Sequence, residues 1–291
     1  MILVDKDKKI TVSLGGICKL KCAHCYTNTG DFEHQKQLTI EETLRILEMK
    51  RGSFTTICIS GDTDCFLDPY KGLELIKKIV ANFTIENIMF TTRMIPPKEI
   101  IEELFQIGKM CNKRRQLFIP CISVVAFNCP NKIENSLLVP NTIERLEFLE
   151  LLAGAGLPCF LTMRPTFPFE IIPFSEIVQI LDYAKDAPAA VLGEVLLLDK
   201  DGVIERRLGI DVGQSEYQES KLTFINQPLE WKKLYCKKEH DTIKEECYRR
   251  GMPFFLRSMS AINYLKKIYE YNGIIIHQAK YFDEEVLNIF P

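Results

Sequence analysis

The sequence has no apolar run long enough to span a membrane, no excess of charge of one sign, and no repeat or low-complexity segment. Each absence excludes something. The first ten residues, MILVDKDKKI, are charged where a secretory signal would be apolar, so a cytoplasmic address with no membrane partner is expected. Lys and Arg number 37 against 39 Asp and Glu, a net charge of −2, which argues against a surface that grips polyanions throughout. There is no glycine-rich phosphate loop and no serine–histidine–acid arrangement to suggest nucleotide or acyl chemistry. At 46% hydrophobic and 26% charged, the 291 residues have the composition of an ordinary globular chain, neither disordered nor a disulfide-stapled mini-domain.

Cysteine is what the chain has in quantity. Eleven cysteines in a reducing compartment are thiols, and an odd count does not close into a full set of intramolecular disulfides. Most of them should pack as small hydrophobes. Cys111, Cys121, Cys129 and Cys159 are scattered over different segments, and Cys236 and Cys247 are the only pair in the C-terminal part. Cys18, Cys22 and Cys25 are the exception.

Hydrophobic periodicity alternates between strands and helices. Strands are expected at Lys9–Leu14, Thr55–Ser60, Asn87–Thr92, within Leu117–Phe127 after Pro120, at Cys159–Arg164 and at Val191–Leu198. Helices lie between them. One opens on a capping box of Thr39 and Glu42, one covers Tyr70–Val80, and one starts at Pro97. Another opens on a box of Asn141 and Glu144, and Ser175 caps the last. Repetition at this spacing predicts right-handed βαβ units around a parallel sheet: an α/β fold, a full or partial (β/α)6 TIM-type barrel. After Asp199 the rhythm breaks. Residues 1–198 are therefore read as the core and 199–291 as a mainly helical extension over the barrel and its cavity. Helices are expected at Leu229–Arg250 and Ser258–Glu270 and a strand at Gly273–His277.

The three grouped cysteines follow the first strand as Cys18-Lys-Leu-Lys-Cys22-Ala-His-Cys25-Tyr26. Thiolates at this spacing can converge from one loop onto a small inorganic core, and iron–sulfur clusters are normally held by four. Three leave one iron of a cubane without a protein ligand. A structural zinc of the Cys3His kind, using His24 or His34, is the competing reading, and would make the protein a zinc-stabilised binding module.

This C-x3-C-x2-C run after the first strand of a β/α chain resembles the radical S-adenosylmethionine (SAM) superfamily. The resemblance implies one 4Fe–4S cluster on Cys18, Cys22 and Cys25. It implies SAM bound at the open iron, and a reductant such as flavodoxin or ferredoxin. Reductive cleavage of SAM then gives a 5′-deoxyadenosyl radical that takes hydrogen from a substrate. Where the family has a Gly-Gly-Glu-like segment for the SAM ammonium, this chain has Ser60-Gly61-Asp62-Thr63. Strand C-termini carry the sites of β/α barrels, which makes Arg93, Ser123 and Arg164 candidates for SAM contacts. His24 and Tyr26, beside the third thiolate, are candidates for the adenine.

A narrower likeness, to the spore photoproduct lyase-like branch, rests on Thr63-Asp64, Asp68-Pro69-Tyr70, Thr91-Thr92-Arg93, Leu138-Val139-Pro140 with Arg145, and Arg164-Pro165. That branch has a hydrogen-donor cysteine in the loop after strand two, where this chain has Ser60 and Gly61. Cys58 reads as core. Cys65 is the remaining candidate donor, with plain packing as its alternative. Thymine-dimer repair is not carried over, and the substrate is left open between a nucleic acid, not favoured by the overall charge, and a peptide or small metabolite.

Overall fold

Apolar residues at every second position of the strands fix the architecture, because each such residue must find a buried face. A computed structural model describes residues 2–4, 8–15, 18–29, 37–60, 62–128, 133–134, 137–210, 217–224 and 227–272. Gly61, His34, Cys129 and the expected strand Gly273–His277 lie outside them.

The parallel strands are β2 (Lys9–Val12), β3 (Thr56–Ile59), β4 (Asn87–Thr92), β5 (Leu117–Ser123), β6 (Phe160–Met163) and β7 (Ala190–Gly193). They lie side by side in chain order. β1 (Ile2–Val4) joins antiparallel to β2, and β11 (Phe254–Phe255) joins parallel to β7, giving an eight-stranded sheet whose two edges do not meet. This is a partial barrel. Five helices cover its convex side: α1 (Ile40–Met49), α2 (Pro69–Asn82), α3 (Lys98–Lys113), α4 (Thr142–Gly154) and α5 (Phe174–Ala184). Ile57, Ile59, Ile88, Phe90, Phe118, Ile122, Leu161 and Val191 form the strand side of that layer.

Both capping boxes form. Glu42 N donates to Thr39 Oγ1 (3.1 Å) while Thr39 N donates to Glu42 Oε2 (2.9 Å), and Asn141 and Glu144 do the same. Asp68 caps α2 by accepting from Lys71 N at 3.2 Å. Gly72 is needed in α2 because a Cβ there would stand 2.1 Å from the Cys65 carbonyl, so only glycine lets the helix approach the preceding turn.

The opposite set of alternating residues faces the concave side. Met89, Leu117, Ile119, Cys121, Phe160, Ala190 and Leu192 are buried there under Ala261, Ile262, Tyr264 and Leu265 of α8 (Ser258–Asn272). The helix starts near the C-terminal end of β6, where Arg164 Nη1 donates to Ser258 Oγ at 3.0 Å. It runs down toward the N-terminal end of β4, where Lys266 pairs with Glu86. Cys58, expected in the core, is half-buried against this concave cluster.

Four local expectations are corrected. β5 begins at Leu117, before Pro120 rather than after it. The ladder to β6 starts only at Cys121, so β5 has a free side at Pro120, where a residue without an N–H is tolerated. The expected single strand Val191–Leu198 is two: β7 stays in the large sheet, while β8 (Leu196–Asp199) leaves it for a second sheet of order β8-β10-β9. A continuous apolar run does not show where the chain changes sheets. The expected helix Leu229–Arg250 is strand β10 (Gln227–Leu234), laddered to β8 and to β9 (Tyr217–Phe224), followed by helix α7 (Lys237–Arg249). Cross-strand pairing there outweighs helical periodicity. α5 starts at Phe174 after Pro173, one residue ahead of the expected cap at Ser175. A short helix, α6 (Val203–Leu208), also forms within the turn-rich segment.

Candidate active site at the C-terminal mouth of the sheet

The cysteine loop leaves β2 and folds as a chain of tight turns. Cys25 N donates to Cys22 O (3.1 Å), Asn28 N to Cys25 O (3.2 Å) and Thr29 N to Tyr26 O (3.2 Å). The Asn28 side chain closes back on Cys22 O at 3.2 Å. The turn from Cys22 to Cys25 returns the chain to the same side over the three residues that separate those two thiols. Cys18, Cys22 and Cys25 meet in one small apolar cluster with Leu20, Leu67, Met94 and Val139. Burial pushes the thiol of Cys22 up to about 12 and that of Cys18 upward. Both are protonated when empty and must lose their protons to ligate a metal.

Among the described residues, no three His, Cys, Asp or Glu side chains are arranged around a single ion. Thiolates on separate irons of a cubane stand further apart than those sharing one zinc. A pocket of three thiols among apolar side chains with a cation beside it fits a 4Fe–4S cluster, and among the described residues His24 does not complete a Cys3His zinc set, its Nε2 meeting Arg93 Nη2 at 3.2 Å.

The cation is Arg93, at the end of β4. Its Nε donates to Glu134 Oε1 at 2.7 Å, and its Nη2 meets His24 Nε2 at 3.2 Å and the Arg164 carbonyl at 3.5 Å. Arg145, on α4, binds the other side of the same carboxylate, with Nη2 at 2.7 Å from Glu134 Oε2 and Nη1 at 3.3 Å from Oε1. Glu134 is only 3% exposed and Arg145 2%. Burial alone would raise the Glu134 carboxyl, but the two guanidinium groups hold it down at about 2. Burial, with Arg93 adding to it, lowers His24 to about 3, so its ring is neutral, and it stands edge-on to Phe167.

The other expected site residues fall into two groups. Ser123 is buried at the end of β5 beside Thr162, and its carbonyl accepts from Arg145 Nη1 at 2.7 Å, tying it to the same network. Tyr26 sits at the mouth with its ring edge-on to Trp231 of β10 at 6.3 Å. Arg164 ends β6, but its guanidinium is directed to Gly193 O (3.2 Å) and Ser258 Oγ (3.0 Å), holding β7 and α8. Ser60 adopts φ +80°, and its hydroxyl accepts from Cys65 N at 2.8 Å, closing the turn before α2. Asp62 is buried, which raises its carboxyl. Cys65 donates to Thr91 O at 3.7 Å and packs against the convex core.

Sequence reasoning did not single out Glu134, and named Asp64 only within the Thr63-Asp64 likeness. Asp64 accepts from Arg93 N (2.6 Å), Thr92 Oγ1 (2.7 Å) and Phe66 N (3.0 Å), so it sets the end of β4. Nothing in the neighbourhood Ile133-Glu134-Asn135 distinguishes Glu134 from a solvated acid. Its role is visible only once β4 and α4 are brought together.

Among the described residues no helix is long and apolar enough to cross a membrane. No curated protein matches the chain in sequence. A spore photoproduct lyase variant, solved with AdoMet and dinucleoside spore photoproduct bound, superposes with a TM-score of 0.60 at 14% identity, covering 88% of this chain and 79% of that one. A radical SAM methyltransferase from Sphaerobacter thermophilus gives 0.56 at 14% identity over 88% and 68%. The methyltransferase TsrM from Kitasatospora setae, with tryptophan and a SAM analogue bound, gives 0.54 at 10% identity over 88% and 55%. Likeness at such identity establishes a shared fold. The family assignment comes from residues 12–183, more than half of the chain, which match the radical SAM superfamily model. The chain belongs to the radical SAM superfamily of enzymes, a membership that implies SAM and a 4Fe–4S cluster.

Proposed function

We propose that Cys18, Cys22 and Cys25 hold a single 4Fe–4S cluster with one open iron for SAM, and that the enzyme abstracts hydrogen from a peptide or small metabolite bound in the upper part of the concave face. The observation that carries this reading is the gathering of three thiols in one apolar pocket beside Arg93. When bound, such a cluster supplies the electron that splits SAM into methionine and a 5′-deoxyadenosyl radical. The chain's own residues do the rest. Leu67, Met94 and Val139 keep water from the thiolates, which protects reactive species from quenching. His24 and Tyr26 flank the loop where the adenine would lie. Arg93 and the buried end of β5 at Ser123 offer donors at the mouth. Reduction would come from a small electron carrier such as flavodoxin or ferredoxin.

One observation favours a peptide or metabolite over a nucleic acid. The basic pair Arg249–Arg250 is partly neutralised by the chain's own acids, Arg250 with Asp182 at 2.7 Å and both arginines with Glu246. Salt-dependent binding of an oligonucleotide would overturn that preference, since phosphate contacts release counterions. The central test is anaerobic reconstitution followed by SAM and dithionite. A brown protein with iron and sulfide that produces 5′-deoxyadenosine is expected. A colourless protein with zinc, or a fully assembled cluster that yields no product, overturns the reading.

A further inference from the structure

Arg93 makes its contacts through two of its three guanidinium nitrogens. Nε is taken by Glu134, and Nη2 by His24 and the Arg164 carbonyl. Among the described residues nothing accepts from Nη1, and the side chain keeps 18% exposure. A planar, always charged fork with one arm left over is suited to a carboxylate. What decides where that arm points is Glu134, which is itself fixed. Arg145 grips its far side, and the adjacent backbone carbonyl of Ile133 accepts from Ala23 N at 3.0 Å within the cysteine loop. One short segment therefore holds both the cluster loop, through its main chain, and the cation beside it, through its side chain.

We infer that Glu134 is a positioning residue for SAM. It locks the Arg93 guanidinium plane so that Nη1 faces the carboxylate of a SAM bound at the cluster, and Arg145 locks Glu134 from behind. This rests on the SAM reading above and adds to it the residue that orients the cation. The alternative role for the same three charges is purely structural, pinning the segment around Glu134 between β4 and α4. The unused arm distinguishes the two: a purely structural clamp has no need of a guanidinium nitrogen left without an acceptor at the mouth, whereas a carboxylate ligand does.

The test uses reconstituted protein and SAM itself as the probe, read by the change that SAM induces in the electron paramagnetic resonance spectrum of the reduced cluster. Glu134→Gln keeps the shape and removes the charge. It should weaken SAM binding about 10–100-fold, the usual loss when a partner that orients a ligand-binding group is removed. Glu134→Asp, which keeps the charge, should recover part of the affinity. Should Glu134→Gln fold poorly, Arg93→Lys leaves the Glu134–Arg145 pair intact and should lose affinity to a similar degree. In the double variant the two losses should not add, because Glu134 acts only through Arg93. Additive losses, or a Glu134→Gln protein with a lowered melting temperature but wild-type affinity and spectrum, overturn the inference. A wild-type protein with an intact cluster and no SAM-induced spectral change overturns the SAM reading as well.

Discussion

The two halves of the concave face are made by the same strands and have opposite characters. Toward the N-terminal ends, the inward positions are Met89, Leu117, Ile119 and Phe160, closed over by α8. Toward the C-terminal ends they are Arg93, Ser123, Thr162 and Arg164, joined by His24 and Glu134. Alternation puts both sets on one surface, and position along the strand separates them. The lower half carries stability and needs only apolar volume. The upper half gathers buried charge that is costly to desolvate and is held by pairing, and such groups cluster where chemistry is done. If this division is right, substitutions in the lower half should affect folding alone, and substitutions in the upper half should change cofactor binding whatever they do to stability.

The largest separation is expected at the upper half. Cys22→Ala should abolish cluster incorporation and with it all 5′-deoxyadenosine formation. Iron and sulfide content after anaerobic reconstitution gives the readout, and retention of a full cluster would remove Cys22 from the ligand set. At the lower half, Ile262→Ala truncates a fully buried side chain of α8 and should cost about 2–5 kcal/mol of stability. Its folded fraction should bind iron and SAM as wild type does. A loss of SAM affinity without a loss of stability would mean that α8 shapes the upper half beyond its contact there between Ser258 and Arg164.

That division was readable in part from the sequence. The strand order and the two capping boxes follow from local patterns, and Cys18, Cys22 and Cys25 announce themselves by spacing. Arg93 was reachable because it ends a strand, where β/α folds place their sites. Glu134 was not, because its importance depends on β4, α4 and the cysteine loop meeting in space, and no periodicity encodes that meeting. The same reason hid β10. Its residues Gln227–Leu234 carry a pattern compatible with helix, and only the partners β8 and β9 decide the matter. Arg164 shows the converse. Its strand-end position matches that of Arg93, yet its guanidinium is spent on Gly193 and Ser258, a distinction made by tertiary neighbours alone.

Acid should blur the contrast in a defined direction. The carboxyl of Glu134 is held at about 2 in the folded protein, below the roughly 4.3 of an unfolded chain. Its ionised form therefore favours the fold at neutral pH, and that contribution fades as pH falls from the unfolded value toward the folded one. Glu134→Gln should be less stable than wild type at pH 7 by on the order of 3 kcal/mol. Denaturant unfolding should show the gap narrowing below about pH 4. A gap that stays constant through this range would mean that the carboxylate gains nothing from its two arginines.

The smallest effect is expected at Cys65, which lies outside both halves. Its turn is held by the Ser60 hydroxyl, its thiol reaches the carbonyl of Thr91, and its side chain rests on the convex core rather than under α8. Burial, with Asp64 adding to it, raises its pKa well above that of an ordinary thiol, so it keeps its S–H through the physiological range. A permanent S–H can donate a hydrogen atom, but donation follows radical formation and cannot change how fast SAM is cleaved. Cys65→Ala should therefore cost about 1 kcal/mol of stability and leave cluster content, SAM affinity and substrate-free 5′-deoxyadenosine formation unchanged. A fall in cleavage rate would place this thiol among the groups that govern the upper half, and the boundary between the cofactor-binding surface and the convex core would have to be redrawn through the turn before α2.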